Sequence, residues 1–320
     1  MRHVETIIVG GGPAGSSCAK ELVRHGRECL VLEKQAMPRP KLCAGWITPN
    51  VLADLEIQPE EYPYGLVRLD RVRLILGRRR RWSWTVSAHQ YSIRRMEFDS
   101  WLLSRAGAEV VQHPVRLIRY EGGRYIIDER FSCTYLVGAG GTSCPVRRIF
   151  FPSHPGKLIL TREVEYSQPP PVKECCLWFP FAGSSGYGWY VPKKEAVNIG
   201  FGGLAEEIPL GSLSSLWTVF LRLLGEEGCL GGQSPPNPKG HPYFLSPRHT
   251  PVKHERAYLI GDAAGLATWD LAEGIGPAIQ SGILAARDIL GRDSYRPERI
   301  RRYSLGLLGR FFRWLWARLP

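Results

Sequence analysis

The chain has 320 residues, 44% of them hydrophobic and 22% charged, which suits one large or two modest folded domains. Its 42 basic and 30 acidic residues give a formal net charge of +12, which suits anionic ligands, anionic lipid or nucleic acid. No RNA- or DNA-binding motif accompanies this charge, so we expect no nucleic-acid partner. No run of about 18 apolar residues occurs, which excludes a transmembrane helix.

The eight cysteines show neither a Cys-x-x-Cys pair nor a Cys/His metal spacing, so we expect no metal site. Thiols of this kind fit a reducing compartment best. The first predicted strand begins close to the N-terminus and leaves no room for a signal peptide. Together these observations favour a cytoplasmic protein.

An apolar, β-branched segment, Thr6–Val9, leads into three glycines at the G-x-G-x-x-G spacing. In such a loop Gly10 permits the tight turn, Gly12 lets the backbone approach a pyrophosphate, and Gly15 lets the next helix pack closely. We predict that this helix runs from Pro13 to about His25 and points its N-terminal N–H groups at the pyrophosphate. The predicted contacts to the dinucleotide are Gly10, Gly12, Pro13, Ala14 and Gly15.

A second strand, from Glu28 to Leu32, ends at Glu33, which lies 23 residues after Gly10. An acidic residue at this distance binds the ribose hydroxyls in dinucleotide-binding folds. Glu33 therefore favours an adenosine without a 2′-phosphate, although it does not separate FAD from NAD. Lys34 directly follows and is included among the predicted cofactor contacts.

The middle of the chain has the alternating pattern of sheets. Val67 to Leu74 alternates, turns at Gly77 and returns through Trp82 to Val86, which predicts a hairpin. Arg78 to Arg81 would lie at its tip, either solvated or in contact with an anionic substrate or membrane. A Pro/Gly-rich stretch from Gly231 to Pro251 is expected to return the chain to the nucleotide domain. Further strands are predicted over 115–120, 125–128, 135–137, 158–165, 175–179, 188–191 and 197–201, and helices over 95–103 and 213–224.

Several segments together resemble the two-domain flavoprotein oxidoreductases of the aromatic hydroxylase fold, and most closely the geranylgeranyl reductase family. The segments are 10–15 with Glu33, 41–45, 95–99, 138–147, 187–193 and 261–286. This resemblance covers most of the chain and implies an α/β fold, in which a Rossmann-like FAD-binding domain is interrupted by a sheet-rich α+β substrate domain. The implied bounds are 1–60, 90–150 and 252–290 for the FAD-binding domain, 61–89 and 151–251 for the substrate domain, and 291–320 for a C-terminal basic and aromatic helix.

The resemblance also implies FAD as the cofactor, with NAD(P)H or ferredoxin as candidate reductants. Gly261 and Asp262 follow a strand, and in this fold the aspartate binds the ribityl chain of FAD. The helix that begins near Gly274 and Ile275 would point its N-terminus at the flavin and stabilise negative charge there. A turn and a helix cap are the alternative for Gly261 and Asp262. The remaining implied cofactor contacts are Lys41, Cys43, Ala44 and Arg95.

Three residues are candidates for the chemistry. Tyr187 to Lys193 resembles the Tyr-x-Trp-x-Phe-Pro-Lys segment of the reductase family, which implies that Tyr187 and Trp189 line the cavity over the flavin; ordinary sheet core is the alternative. Cys43 stands where some reductases have a cysteine near the flavin. Its thiol would be a proton donor to the substrate carbon, or simply a packed small residue.

Two departures from the family pattern concern the site itself. Gly140 stands where the wider fold has an aspartate that helps to hold FAD and, in some members, the nicotinamide. Trp269 to Ala272 replaces a Pro and Thr-Gly segment before Glu273. The first departure weakens the case for NAD(P)H, and the second alters the loop beside the flavin.

The C-terminal segment, residues 303–318, is aromatic, aliphatic and basic, which is typical of an interfacial helix on anionic lipid. A helix packed on the protein body is the alternative. We therefore expect an FAD-dependent reductase that saturates carbon–carbon double bonds of an isoprenoid lipid, cytoplasmic or peripheral on the inner face of the membrane. The alternatives are a flavin monooxygenase or halogenase with an aromatic substrate, and a flavoprotein that shuttles electrons at a membrane.

Overall fold

The computed structural model describes residues 1–76, 82–153, 155–181, 186–247 and 249–301. The chain divides into two units. Unit 1 comprises Met1–Arg39, Met96–Gly156 and the chain from Tyr243, and unit 2 comprises Pro40–Arg95 and Lys157–Pro242. The Arg78 to Arg81 run and the predicted lipid-binding helix over 303–318 lie outside the described residues.

The described strands form two sheets of eight strands each. Those of the first sheet are β1 (Arg2–Val9), β2 (Cys29–Glu33), β6 (Glu109–Gln112), β7 (Ile118–Glu121), β8 (Arg124–Ile127), β9 (Phe131–Gly138), β15 (Lys253–His254) and β16 (Ala257–Leu259). Those of the second are β3 (Trp46–Ile47), β4 (Val67–Leu76), β5 (Trp82–Ser92), β10 (Lys157–Ser167), β11 (Cys175–Phe179), β12 (Tyr187–Pro192), β13 (Ala196–Leu204) and β14 (Lys239–Leu245). The α-helices are α1 (Pro13–Arg24), α2 (Pro49–Leu55), α3 (Arg95–Ser104), α4 (Pro145–Phe150), α5 (Leu213–Glu226) and α6 (Ile275–Ile289).

The first sheet has a parallel centre in the order β16-β9-β1-β2-β6. Strand β2, strand β16, the second half of β1 and most of β9 are buried, as parallel strands between helices must be, whereas the edge strand β6 is largely exposed. The chain passes from β1 through α1 to β2 on one side, while β9 pairs with β1 on the other. The strand order therefore reverses between β1 and β9. In open α/β sheets a ligand crevice forms at such a point, outside the carboxyl ends of the strands.

Helices α1 and α6 pack together through small residues in unit 1. A Cβ built on Gly282 would lie 2.2 Å from the carbonyl oxygen of Ala14 and 3.0 Å from the backbone nitrogen of Cys18. The serine before it, Ser281, accepts a hydrogen bond from the Gly261 N–H at 2.9 Å. Close approach of these two helices therefore fixes the segment that carries Gly261 and Asp262.

The second sheet, ordered β14-β10-β13-β12-β11-β4-β5-β3, has two different faces. One face packs against α5 through a core that includes Ile199, Phe201, Trp217 and Phe220. The other face carries polar side chains that are buried or, at Glu165, half-buried. We call the following set the polar face: Glu163, Glu165, Trp189, Lys193 and Asn198.

The predicted fold class is confirmed, whereas several element predictions were wrong. The Pro/Gly-rich stretch predicted as a connection contains β14, and its proline, Pro242, is tolerated because β14 is the edge strand of its sheet. The strand predicted to begin at Val115 begins at Ile118. Strand β6 and the short helices α2 and α4 were missed because each is only 4 to 7 residues long.

Among the described residues, no helix is both long and apolar enough to cross a membrane. The same part of the chain contains no group of three or more His, Cys, Asp or Glu side chains placed to hold a metal ion. All eight cysteines fall within it, and all are free thiols.

The α1–α6 contact yields a stability prediction. We expect Gly282→Ala to destabilise the protein by more than about 2 kcal/mol, because its methyl group collides with the α1 backbone. Gly225→Ala is the matched control, because it also replaces a glycine inside a helix. A Cβ at position 225 would meet only Leu230, at 4.0 Å. The control should be neutral or gain about 0.5–1 kcal/mol. Urea unfolding measures both, and equal stabilities of the two variants would contradict the packing argument.

Candidate functional site

The glycine loop after β1 has the geometry of a phosphate-binding turn. Gly10 has a φ of +114°, and its Cβ would lie 2.5 Å from the carbonyl oxygen of Ala139. A Cβ on Gly15 would lie 1.9 Å from the carbonyl oxygen of Gly10. Both glycines are therefore required by the fold alone.

Gly12 differs from its neighbours because its missing side chain leaves open space. A Cβ there would approach only the Nη2 atom of Arg39, at 3.8 Å. Gly12 is the N-cap of α1, followed by Pro13, and it supplies no capping side chain. The first turn of α1 carries no acidic residue, so its positive end is not neutralised by its own helix. This is a cradle for an anionic group.

Glu33 stands at the carboxyl end of β2, adjacent to that loop. Its Oε2 accepts the Gly11 N–H at 2.8 Å and its Oε1 accepts the Gln35 N–H at 3.1 Å. Each carboxylate oxygen retains a lone pair for a ribose hydroxyl. Lys34, in contrast, is exposed to solvent.

Arg39 is a cofactor candidate that the sequence analysis missed. Its Nε lies 3.4 Å from Oε1 of Glu33, and its Nη1 lies 3.9 Å from Oδ2 of the fully buried Asp99. The buried Nε has no hydrogen-bond partner within the described structure. A guanidinium so placed, beside the open side of Gly12, suits a phosphate of the bound dinucleotide.

The second glycine loop follows β9 and explains the absence of the expected aspartate. Gly140 packs against Cys144, whose Cα would lie 3.2 Å from a Cβ at position 140. An aspartate would therefore require the turn that starts at Gly141 to shift. The packing of this turn therefore accounts for glycine, in place of aspartate, at position 140.

Gly261 and Asp262 lie at the carboxyl end of β16, the strand next to β9. Gly261 has a φ of +60° and its Cβ would lie 3.0 Å from the Cβ of Ala14. Oδ1 of Asp262 would lie 3.3 Å from a Cβ at Gly274, the N-cap of α6. The aspartate thus stands at the start of α6, as the ribityl interpretation requires, and Ile275 begins that helix as a buried residue.

The loop before α6, which contains the altered segment from Trp269 to Ala272, is held by hydrogen bonds between its two ends. The Thr268 N–H donates to the Glu273 carbonyl oxygen at 2.9 Å, and the Glu273 N–H donates to the Thr268 hydroxyl at 3.0 Å. Oε1 of Glu273 accepts the Gly276 N–H at 2.8 Å. Burial raises the pKa of the Glu273 carboxyl to about 8, and its Oε2 is enclosed without a partner in the described structure.

The glycine loops, Glu33 and Asp262 all follow the carboxyl ends of four adjacent parallel strands, β16-β9-β1-β2. An open cradle, an uncapped helix N-terminus, a buried carboxylate and a guanidinium fit a dinucleotide with its pyrophosphate at Gly12. The described residues of unit 1 therefore fit the cofactor predicted for them.

The other predicted site residues belong to unit 2. Arg95 is buried at the start of α3. The Lys41 ammonium lies 2.7 Å from Nε2 of His241. Tyr187 stacks on Phe179 with 5.1 Å between ring centroids. The structure thus brings Cys43 and Trp189 into one hydrogen-bond network and places Tyr187 against Trp189, with 5.7 Å between ring centroids; Ala44 is half-buried.

Cys43 lies in a tightly held loop. Its Sγ accepts the Gly45 N–H at 3.4 Å, and its carbonyl oxygen accepts Nδ2 of Asn198 at 3.2 Å. Gly45 has a φ of +70°, and its Cβ would lie 2.1 Å from the Ile93 carbonyl oxygen and 2.7 Å from Nζ of Lys193. The loop is therefore fixed on the polar face.

A row of three residues crosses the sheet beside this loop. Glu163, Gly200 and Trp189 are register partners on β10, β13 and β12. A Cβ on Gly200 would lie 2.5 Å from Cζ2 of Trp189 and 2.6 Å from the Cβ of Glu163. Because Gly200 has no side chain, the indole of Trp189 and the side chain of Glu163 can lie side by side on the same face.

The two glutamates of β10 have opposite electrostatic environments. Glu165 receives hydrogen bonds from Lys193 and, at 3.0 Å, from Nε of Arg94; although burial opposes it, these cations keep the pKa of the Glu165 carboxyl below its usual value. Burial raises the pKa of the Glu163 carboxyl to about 7, against the opposing effect of the Asn198 hydrogen bond and of Lys193 and Lys41. Neighbouring carboxyls with separated pKa values are a common arrangement in acid–base sites.

Glu163 and Asn198 were missed by the sequence analysis. The only signal was that Thr161, Glu163 and Glu165 put polar side chains at alternate positions of a predicted strand. That pattern normally indicates a solvated face. The structure instead leaves Glu163 only 3% exposed and Asn198 0% exposed.

A parallel sheet with a dinucleotide cradle, joined to a second unit with a buried polar face, defines the class of two-domain nucleotide-cofactor oxidoreductases. The model of the NAD(P)-binding Rossmann-like domain matches residues 8–50. Geranylgeranyl diphosphate reductase of Rhodobacter capsulatus is 26% identical, over 88% of this chain and 74% of that protein. Digeranylgeranylglycerophospholipid reductase 3 of Methanosphaera stadtmanae is also 26% identical, over 95% of this chain and 82% of that protein.

Solved structures agree on the fold. A geranylgeranyl bacteriochlorophyll reductase-like protein of Thermoplasma acidophilum superposes with a TM-score of 0.75 at 19% identity, covering 99% of this chain and 84% of that one. Flavin-dependent halogenases are among the other solved structures with this fold. The predicted resemblance to geranylgeranyl reductases is thereby confirmed, as is the interpretation as an oxidoreductase with a flavin cofactor.

The open space at Gly12 yields a prediction that separates binding from folding. Gly12→Ala should leave the free energy of unfolding within about 0.5 kcal/mol of wild type. Its methyl group should nevertheless weaken FAD binding about 10-fold or more, because it occupies the path of the pyrophosphate. Fluorescence titration of the apoprotein with FAD measures the affinity, with Gly211→Ala, which also faces open space, as the control. Unchanged FAD affinity in Gly12→Ala would argue against this cradle.

Proposed function

We propose that the protein is an FAD-dependent reductase that saturates carbon–carbon double bonds of an isoprenoid lipid. The observation that carries the proposal is the alignment over 95% of the chain with a relative named as a digeranylgeranylglycerophospholipid reductase. Its substrate is then a small prenyl compound or a prenyl lipid, and nucleic acid has no part in the reaction.

FAD is the form of flavin that the residues of unit 1 support. The cradle at Gly12 takes a pyrophosphate, Glu33 takes the adenosine ribose, and Asp262 takes the ribityl chain near the start of α6. Such a flavin, when bound and reduced, supplies the hydride equivalent that reduction of an alkene requires.

The residues of unit 2 would then bind and protonate the substrate. An isolated alkene accepts hydride poorly, so pre-alignment and protonation must supply much of the rate enhancement. The stacked rings of Tyr187 and Phe179, next to Trp189 at 5.7 Å between centroids, offer apolar contact to a prenyl chain. The sequence analysis suggested Cys43 as the acid; its thiol accepts the Gly45 N–H at 3.4 Å, and the polar face beside it offers a carboxyl as the alternative.

The electron donor is either NAD(P)H or ferredoxin. Gly140 argues against a nicotinamide held in the manner of relatives that have an aspartate at this position, because packing against Cys144 disfavours any side chain there. Reduction of the bound flavin with each donor in turn distinguishes them.

The reaction itself is tested by anaerobic incubation of the reduced protein with geranylgeranyl lipids. We expect the flavin to be reoxidised and the lipid to gain two hydrogens per double bond, measured by absorbance and mass spectrometry. Flavin that stays reduced with every prenyl lipid would refute the proposal. Oxidation without a change of lipid mass would instead indicate an electron shuttle.

A flavin monooxygenase or halogenase is the second candidate, since flavin halogenases share the fold and Tyr187 to Pro192 partly resembles their Trp-x-Trp-x-Ile-Pro segment. Such an enzyme consumes oxygen when its aromatic substrate is present. Oxygen uptake stimulated by an aromatic compound, without saturation of prenyl lipids, would establish this candidate in place of the first.

Membrane contact through residues 303–320 is part of the proposal. We expect the full chain to float with vesicles containing anionic lipid and to stay behind with neutral ones, because basic and aromatic residues favour an anionic interface. A variant that ends at Arg302 should lose most of the flotation while still binding FAD. Equal flotation of the two proteins would show that this segment is not the contact.

A further inference from the structure

Glu163 is a buried acid whose proton can be located from its hydrogen bonds. The indole nitrogen of Trp189 is a donor only, and it lies 2.7 Å from Oδ1 of Asn198. This contact fixes the Asn198 amide with its oxygen toward the indole. Its Nδ2 group then donates at 3.2 Å to the Cys43 carbonyl oxygen and at 3.2 Å to Oε2 of Glu163.

The same chain of contacts determines which carboxyl oxygen carries the proton. In a neutral carboxyl group the carbonyl oxygen is the better acceptor, and the other oxygen bears the hydrogen. Since Oε2 accepts from Asn198, the proton of a neutral Glu163 resides on Oε1. Trp189 and Asn198 therefore hold the acid in one orientation and do not compete for its proton.

The charged groups around Glu163 are known on each neighbouring element. Lys193 follows β12, Lys41 precedes β3 and lies against His241 of β14, and Glu165 is on β10 itself. Lys193 forms an ion pair with Glu165, which weakens its effect on the pKa of Glu163. Burial dominates, and it favours the neutral acid at Glu163 up to about pH 7.

We propose that Glu163 is the acid that protonates the alkene carbon in the reduction, and that Asn198 is the residue that positions it. The Oε1 proton would form one new C–H bond as the π bond of the alkene breaks, and the hydride equivalent that a bound and reduced flavin supplies would form the other. The alkene would thereby gain two electrons from the cofactor, and Glu163 would be left as a carboxylate that regains its proton from water. This inference rests on the proposed function.

The test compares wild type with Glu163→Gln in the full-length flavoprotein. Glutamine keeps an oxygen that accepts from Asn198 but has no acidic proton, so it preserves the structural role alone. We expect Glu163→Gln to lower the rate of prenyl-lipid reduction about 100-fold or more. In wild type the rate should fall as pH rises through about 7, because the acid ionises. The residual rate of the variant should not fall over this pH range.

A second readout does not depend on turnover. The folded-state pKa of Glu163 lies above its ordinary value, so its contribution to stability is present at low pH and is lost as pH rises toward about 7. Glu163→Gln should reduce this slope in urea unfolding measured between about pH 5 and pH 8; the part that remains includes Glu273, whose pKa is also raised by burial. The infrared spectrum of wild type at pH 6 minus that of the variant should contain the band of one buried carboxylic acid.

Glu206→Gln is the matched control, because Glu206 pairs with Lys157 on the surface of the same unit, and it should match wild type in every readout. Should Glu163→Gln not fold, Glu163→Asp retains an acid and should keep a slower reaction with the same loss at high pH. A wild-type rate in Glu163→Gln, or no carboxylic acid band in the wild-type-minus-variant spectrum at pH 6, overturns the proposal for Glu163. A wild type that saturates no prenyl lipid overturns the proposed function, and this role of Glu163 with it.

Discussion

Burial of charge on one face of the second sheet is the constraint on which the candidate catalytic site depends. Charged groups taken out of water must be paired or neutralised. Glu165 is paired with Lys193 and Arg94, whereas Glu163 accepts a hydrogen bond from the Asn198 amide. On the same sheet face the pKa of the Glu165 carboxyl is therefore lowered and that of the Glu163 carboxyl is raised, although the two residues are two positions apart on a single strand.

The two units offer different kinds of group to a ligand. Unit 1 supplies rigid backbone at the ends of four parallel strands, where the close approach of main chain to main chain leaves only glycine at positions 10 and 15. Unit 2 supplies side chains held by one another on an antiparallel surface. The common fold of prenyl reductases and flavin halogenases is consistent with this division, since function is defined by the site rather than by the fold.

Local sequence patterns were sufficient to predict the cofactor side of the protein. The strand, glycine turn, helix and second strand of residues 2–33 are contiguous, so the position of Glu33 beside Gly11 follows from spacing alone. Arg39 and Asp99 were not predicted, because they meet across 60 residues of chain that the motif does not cover. Glu163, Asn198 and Trp189 come together only through the registers of β10, β13 and β12, and no local pattern encodes a register.

The gap at Gly200 also restricts how this protein can change over evolutionary time. Trp189 and the Cβ of Glu163 occupy the volume that a side chain at position 200 would need. On the opposite face, the ring of Phe220 occupies the same kind of space at Gly188 of the adjacent strand, where a Cβ would lie 2.6 Å from the ring. A Cβ at position 200 would also lie 2.7 Å from the Arg162 carbonyl oxygen, so a smaller residue at position 189 would not by itself admit a larger one at position 200. Position 200 should therefore stay glycine among homologues that keep this register, and a lineage that reshapes this face of the sheet would change the indole and leave the glycine in place.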